Sequence, residues 1–144
     1  GRFIIIEHQT PEVIWRRELM NHPNGVRALK TLIFCTETPT PTIERLTAIT
    51  GEAAVASAHG ETSIPLRNGG SLLVLDHRAY QNRYQIAPQI SVPHIAAAIL
   101  NVEDIDRVTT LLKTNGVSTQ TAIDGGIWVA PQDANGGVLQ FVQD

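Results

Sequence analysis

The chain has 144 residues, 42% of them hydrophobic and 17% charged, enough to bury one core and too apolar to stay disordered. With 11 Lys and Arg against 14 Asp and Glu, a net charge of −3, and no basic cluster interleaved with aromatics, it offers no field for a phosphate backbone, so nucleic acid is not an expected partner. No apolar run approaches bilayer length, so no membrane is expected, and the single cysteine, Cys35, excludes an internal disulfide framework and points to a reducing, cytoplasmic setting.

The chain opens on a strand-like run, Phe3 to Ile6, directly behind Gly1. Arg2 to His8 is therefore expected to be an orphan strand, cut from a longer protein whose upstream module lies outside this sequence. An unpaired strand is a template for pairing, so it is expected to add to a sheet edge in its own domain or in a second copy, giving a homodimer. Ala28 to Thr36 is apolar and rich in branched residues, a buried-strand pattern. A helix follows, with Thr40 as cap, Pro41 at the first position, Ile43, Leu46 and Ile49 on one face and Gly51 as the stop. Glu52 to His59, Glu61 to Leu66 and Ser71 to Asp76 read as short strands between glycine-rich turns. Residues 78–93, with Tyr80, Tyr84 and Pro88, read as a connector.

The second half repeats this order. His94 to Val102 is a strand, Asp104 caps a helix with Ile105, Val108, Leu111 and Leu112 on one stripe, and Gly116 ends it. Val117 to Ile123, Gly126 to Ala130 and Val138 to Gln143 supply three more strands. Asn68-Gly69-Gly70 and Asn135-Gly136-Gly137 lead the last strand of each half, 67 positions apart, and the helix-ending glycines Gly51 and Gly116 are 65 apart. A near-constant offset is the mark of a duplicated unit. The division that follows is 1–25 as strand and linker from a preceding module, 26–87 as a first βαβββ module and 88–144 as a second.

A duplicated βαβββ unit resembles the vicinal oxygen chelate superfamily, which includes glyoxalase I, extradiol dioxygenases and bleomycin-resistance proteins. The resemblance covers roughly residues 26–144 and is most specific in Asn101 to Val117 (NVEDIDRVTTLLKTNGV) and Val129 to Val142 (VAPQDANGGVLQFV). Ile6 to Trp15 (IEHQTPEVIW) with His22 to Gly25 (HPNG) further resembles the linker of a glyoxalase-like group whose members carry modules upstream. The resemblance implies an α+β fold: a curved, mostly antiparallel sheet of eight strands, helices outside, its concave face forming a cavity.

The same resemblance implies metal ligands early in the first strand and within the last strand of each module. Anchoring those positions on the helix turns and on Asn-Gly-Gly puts them at Thr31 (Lys30 if the register slips), Ala97, Leu73 and Gln140. Alanine and leucine have no donor atoms, and only Gln140 could hold a hard or borderline cation. No cofactor is therefore expected. His94 lies three residues before Ala97, an odd displacement that turns it to the opposite face unless a bulge intervenes. Asp76 and His77 are adjacent in a strand pattern, so at most one of them enters the cavity. Cys35 has no basic cluster to activate it and reads as a buried thiol, and Trp15 and Trp128 read as core or interface residues before ligand walls.

Two readings follow, and the sequence does not decide whether the protein is an enzyme. In one, the domain binds a small organic molecule, or supports a neighbouring module that does, through Thr31, Leu73, Ala97 and Ile99 with Gln140 as the polar orienting group. In the other, a metal-dependent lyase, isomerase or dioxygenase uses a divalent ion on non-standard ligands drawn from His94, Gln140, Asp76 and His77.

Overall fold

In the computed structural model, which describes residues 6–143 apart from 17, 19–21, 58–59, 68 and 90–92, both halves of the chain run strand, helix, three strands. A one-turn helix α1 (Pro11–Ile14) precedes the first half, β1 (Val26–Cys35), α2 (Pro39–Thr50), β2 (Val55–Ala56), β3 (Thr62–Pro65) and β4 (Ser71–Leu75). Helix α3 (His77–Tyr84) leads into the second half, β5 (His94–Val102), α4 (Ile105–Thr114), β6 (Thr119–Thr121), β7 (Ile127–Val129) and β8 (Val138–Val142). All eight strands form one open sheet in the order β2-β3-β4-β1-β5-β8-β7-β6. The first strand of each half runs parallel to the last strand of the same half, and every other pairing is antiparallel.

The halves meet at β1 and β5. Leu32 pairs with Ala98, Thr31 with Ile99 and Ile33 with Ala97. Leu32 and Ala98 thus hold equivalent places in the two repeats and face each other, so the local two-fold relation passes between them. This is how an isologous contact forms between two copies of one unit, here within a single chain.

Local chemistry explains the helix limits. Helix α2 starts at Pro39 behind Thr38, one Thr-Pro pair earlier than the Thr40-Pro41 pair expected; Pro39 has the fixed φ that suits a first helical position. Gly51 ends α2 at φ 71, and its N–H donates to Thr47 O. The Asp104 carboxylate caps α4 by accepting from the N–H groups of Asp106 and Arg107 at 3.0 Å, and past Gly116 the N–H of Val117 donates back to Leu112 O at 2.9 Å, which satisfies an orphan carbonyl. Two expected strands are much shorter than their sequence pattern. Among the described residues, Glu52 to His59 contributes Val55–Ala56 alone and Val117 to Ile123 Thr119–Thr121 alone; both are edge strands with a single neighbour, so the ladder holds only where that neighbour reaches.

Helices α2 and α4 cover one face of the sheet, the outer face. Leu46 and Ile43 of α2 pack on Phe34, Ile64 and Val74, while Val108, Ile105 and Leu112 of α4 pack on Val102, Val129 and Phe141. At the start of the described chain, Ile6, Glu7 and His8 form no strand; the rest of the strand expected over Arg2 to His8 lies outside the described residues. Helix α1 buries none of its residues, leaving Val13, Ile14 and Trp15 exposed. No helix among the described residues is long and apolar enough to cross a membrane.

The turn between β6 and β7 depends on a close approach. A Cβ on Gly126 would lie 2.0 Å from Phe141 O, at a φ of 80, whereas Gly116, at φ 75, has nothing within 4 Å of the same point. Gly116→Ala should cost about 1–2 kcal/mol, the left-handed backbone penalty alone, and Gly126→Ala clearly more. Urea midpoints of the two variants test this; equal losses would show that the β7–β8 pair yields without cost.

Candidate functional site

The face opposite α2 and α4 carries all five residues expected to line a cavity. The register runs Ser71, Thr31, Ile99, Gln140, Trp128 across β4, β1, β5, β8 and β7, and the parallel row runs Leu73, Ile33, Ala97, Val138. Side chains directly opposite share a face, so Thr31, Leu73, Ala97, Ile99 and Gln140 all lie on this inner face. Three irregularities modify the alternation between β1 and β5, the first of them between Val26 and Ala28. A second falls between Leu29 and Thr31 and makes Lys30 the extra residue of β1, so Lys30 and Thr31 both border the same cavity. The third lies between Ile33 and Phe34 and leaves Ala96 as the extra residue of β5. That bulge turns His94 back into register with Cys35, a residue of the inner-face core. His94 therefore shares the face of Ala97 after all.

Residues 78–93, expected to be a connector, hold most of a helix that lies on this face. Asp76 ends β4 and caps α3, its carboxylate accepting from the Ala79 N–H at 2.7 Å, and Gln85 closes the helix in a left-handed conformation. Ala79, Tyr80 and Tyr84 are buried against Ile33, Cys35, Leu75, Ala97, Val138 and Trp128. The Tyr84 ring sits 5.2 Å from Tyr80 and 5.6 Å from Trp128, within the range of favourable aromatic pairs. Ala97 is thus sealed under α3. Asp76 is a helix cap here, where a rim position in a strand was expected, and His77 is the first residue of α3.

A polar network fastens this helix to both halves. Tyr84 Oη donates to Gln140 Oε1 at 3.0 Å, and Gln140 Nε2 donates to Asp124 Oδ1 at 2.8 Å. Arg83, on the same helix, donates to Asp124 Oδ2 and, at 3.4 Å, to Glu61 Oε1. Gln140 is completely buried and both ends of its amide are engaged, so it braces α3 and does not line the open space. Burial lowers the tendency of Arg83 to hold its proton, but Tyr84, Asp124 and Glu61 outweigh it and the guanidinium is held charged. Burial pushes the Tyr84 phenol up to about 12 and the Cys35 thiol up to about 11, the latter with help from the Asp76 charge. Tyr80 is raised further, again chiefly by burial. Cys35 is therefore an inert thiol at neutral pH.

Beside α3 the inner face keeps an open cavity of about 480 Å³. Thr31, Leu73 and Ile99 line it; Ala97 and Gln140 do not. Lys30, Ser71, Arg83, Glu61 and Asp124 supply its polar wall. A wider groove of about 750 Å³ lies by His22, Arg27, Glu103 and Arg107; it holds the 2.7 Å Arg27–Glu103 ion pair and none of the candidate residues.

The residues considered as metal ligands do not converge. Gln140 pairs with Ile99, five positions beyond His94 on β5, about 16 Å along the strand. The Asp76 carboxylate is engaged in capping, and His77 Nδ1 lies 4.0 Å from Glu37. Among the described residues no three His, Cys, Asp or Glu are grouped to hold a metal ion. At the four positions where the fold family places ligands stand Thr31, Leu73, Ala97 and Gln140, a donor set that does not fit a divalent ion.

The same arrangement of strands is found in solved structures. Methylmalonyl-CoA epimerase from Mycobacterium tuberculosis superimposes with a TM-score of 0.61 at 15% identity, over 86% of this chain and 92% of the epimerase. The chain has the vicinal oxygen chelate fold. A Streptomyces coelicolor methylmalonyl-CoA epimerase in complex with 2-nitronate-propionyl-CoA shares this fold with a TM-score of 0.53 at 13% identity, over 83% of this chain and 98% of that one. Hypothetical protein BH1468 from Bacillus halodurans C-125 does so with a TM-score of 0.55 at 13% identity, over 81% and 94%. No protein-family model matches the chain. No curated protein sequence matches it either. Within the vicinal oxygen chelate fold, α3 is what sets the size of the inner-face cavity here.

Two outcomes follow from this packing. Tyr84→Phe removes a buried hydrogen bond and leaves the Gln140 carbonyl without that donor, so it should cost about 1–3 kcal/mol in urea denaturation; no loss would show that the network does not hold α3. The Cys35 and Tyr84 shifts run upward from ordinary values of 9.0 and 10.0, so the unfolded chain ionises first. Stability is fully present below about pH 9 and should be lost as pH rises towards 11–12. Urea midpoints across that range check it, and Cys35→Ala should remove the earliest part of the fall.

Proposed function

We propose that this domain binds a small organic molecule in the inner-face cavity, directly or in support of a neighbouring module, without a metal ion of its own. The observation that carries this reading is the cavity itself. About 480 Å³ is within the range of small-molecule sites, and its aliphatic floor of Leu73, Ile99 and Val142 is flanked by a few fixed polar groups. That combination excludes water from one part of a ligand and orients another. The support from the fold is that one of the similar structures is an epimerase in complex with an acyl-CoA analogue, so the architecture accommodates small-molecule ligands in at least that protein. Neither the Cys35 thiol nor a grouped set of metal donors among the described residues supplies a reaction centre, and binding is the function that the lining supports.

A fragment screen by NMR tests the proposal. Bound fragments should shift the amides of Thr31, Ser71, Leu73 and Ile99, and Leu73→Trp, which fills the floor, should abolish those shifts while the fold persists by circular dichroism. Hits confined to the groove at His22 and Arg107, or no hits at all, would overturn it. Because the bulge at Ala96 brings His94 to the inner face, metal analysis of protein purified without chelator is the complementary measurement. A tightly held stoichiometric ion, lost in His94→Ala, would establish the metal-dependent reading instead.

A further inference from the structure

The charges around the cavity cancel, and their arrangement specifies what it can hold. Among the described residues, its lining contains two cations, Lys30 and Arg83, and two anions, Glu61 and Asp124. Arg83 is 8% exposed and sits between both carboxylates. An ionised ligand would be partly desolvated here with no surplus opposite charge among the described lining residues to repay the loss, and burying a charge under those conditions is costly.

Neutral polar groups meet a different wall. Thr31 Oγ1 and Ser71 Oγ lie 2.8 Å apart and share one hydrogen bond; two hydroxyls joined by one bond retain a second proton to donate. Arg83 gives one N–H from each terminal nitrogen to a carboxylate; each of those nitrogens carries a second N–H, which is what the guanidinium can offer a ligand, its Nε being buried. The Glu61 and Asp124 side chains remain 21% and 40% exposed, so their oxygens can accept from a ligand. Donors and acceptors therefore stand side by side above an aliphatic floor.

We infer that the cavity selects an uncharged ligand with a short aliphatic arm and an adjacent donor and acceptor, such as a carboxamide or a hydroxy-ketone, over the corresponding acid or amine. This rests on the reading of the cavity as a ligand site. The acceptor oxygen takes hydrogen bonds from the hydroxyl pair or the guanidinium, the donor bonds to Glu61 or Asp124, and the alkyl arm covers Leu73 and Ile99.

Isobutyramide, isobutyrate and isobutylammonium have similar alkyl arms and differ in charge, so NMR shift titrations of the three report on this selection. The amide should bind at least about tenfold more tightly than either ion, a difference typical of one uncompensated charge partly screened by water. Glu61→Gln keeps an acceptor for Arg83 while leaving the wall one positive charge in excess, and should move the preference toward isobutyrate. Lys30→Met should move it toward isobutylammonium. An acid or amine that binds the unaltered protein as well as the amide does, or an order that neither substitution changes, would overturn the inference. If the fragment screen finds ligands at Thr31 and Ile99 while the amide does not bind there, the inference fails and the cavity reading stands. If nothing binds there at all, both fail.

Discussion

The ring of polar contacts from Tyr84 through Gln140 and Asp124 to Arg83 is the constraint on which the inner face depends. Both ends of the ring belong to α3, and the middle belongs to β8 and to the turn before β7. A buried amide left without partners would be costly, so Gln140 is satisfied only when the helix lies against the sheet and the turn presents Asp124. Gly126 allows that turn to approach Phe141 closely. Packing of Tyr84 between Tyr80 and Trp128 supplies the apolar half of the same contact. Remove the helix and the cavity has no wall on that side.

The bulges in β1 and β5 act on the same face. A regular strand would let only alternate residues reach it. The interruption near Lys30 puts a lysine and Thr31 side by side at the cavity edge, and the interruption at Ala96 buries Ala96 and Ala97 together under α3 while returning His94 to register with Cys35. Two of the three departures have their extra residue on β1 and one on β5, all along the joint between the halves, which is where the two inner surfaces must match.

The repeated order of elements was legible because its signals are local: Asp104 as a cap, Gly51 and Gly116 as stops, and alternating apolar runs each determine their own segment. The offset between the halves placed Thr31, Ala97, Leu73 and Gln140 at matching positions, and the register puts all four on one face of the sheet. What could not be read is what depends on contacts across the chain. Residues 77–84 are mostly polar, and their helix is stabilised by two tyrosines reaching residues of the other half; the spacing of Tyr80 and Tyr84 with Asp76 in capping position was the only local trace. Gln140 was expected to orient a ligand, and nothing near it in sequence shows that Tyr84 and Asp124 take both ends of its amide. Bulges leave no pattern of their own, which is why the face of His94 was open until the register was known.

Arg83 joins Glu61 of the first half to Asp124 of the second, from a helix that lies in sequence between the last strand of one half and the first strand of the other. A single guanidinium therefore rivets one half to the other, and any sliding of the two at the joint would have to shear it from Glu61 or from Asp124.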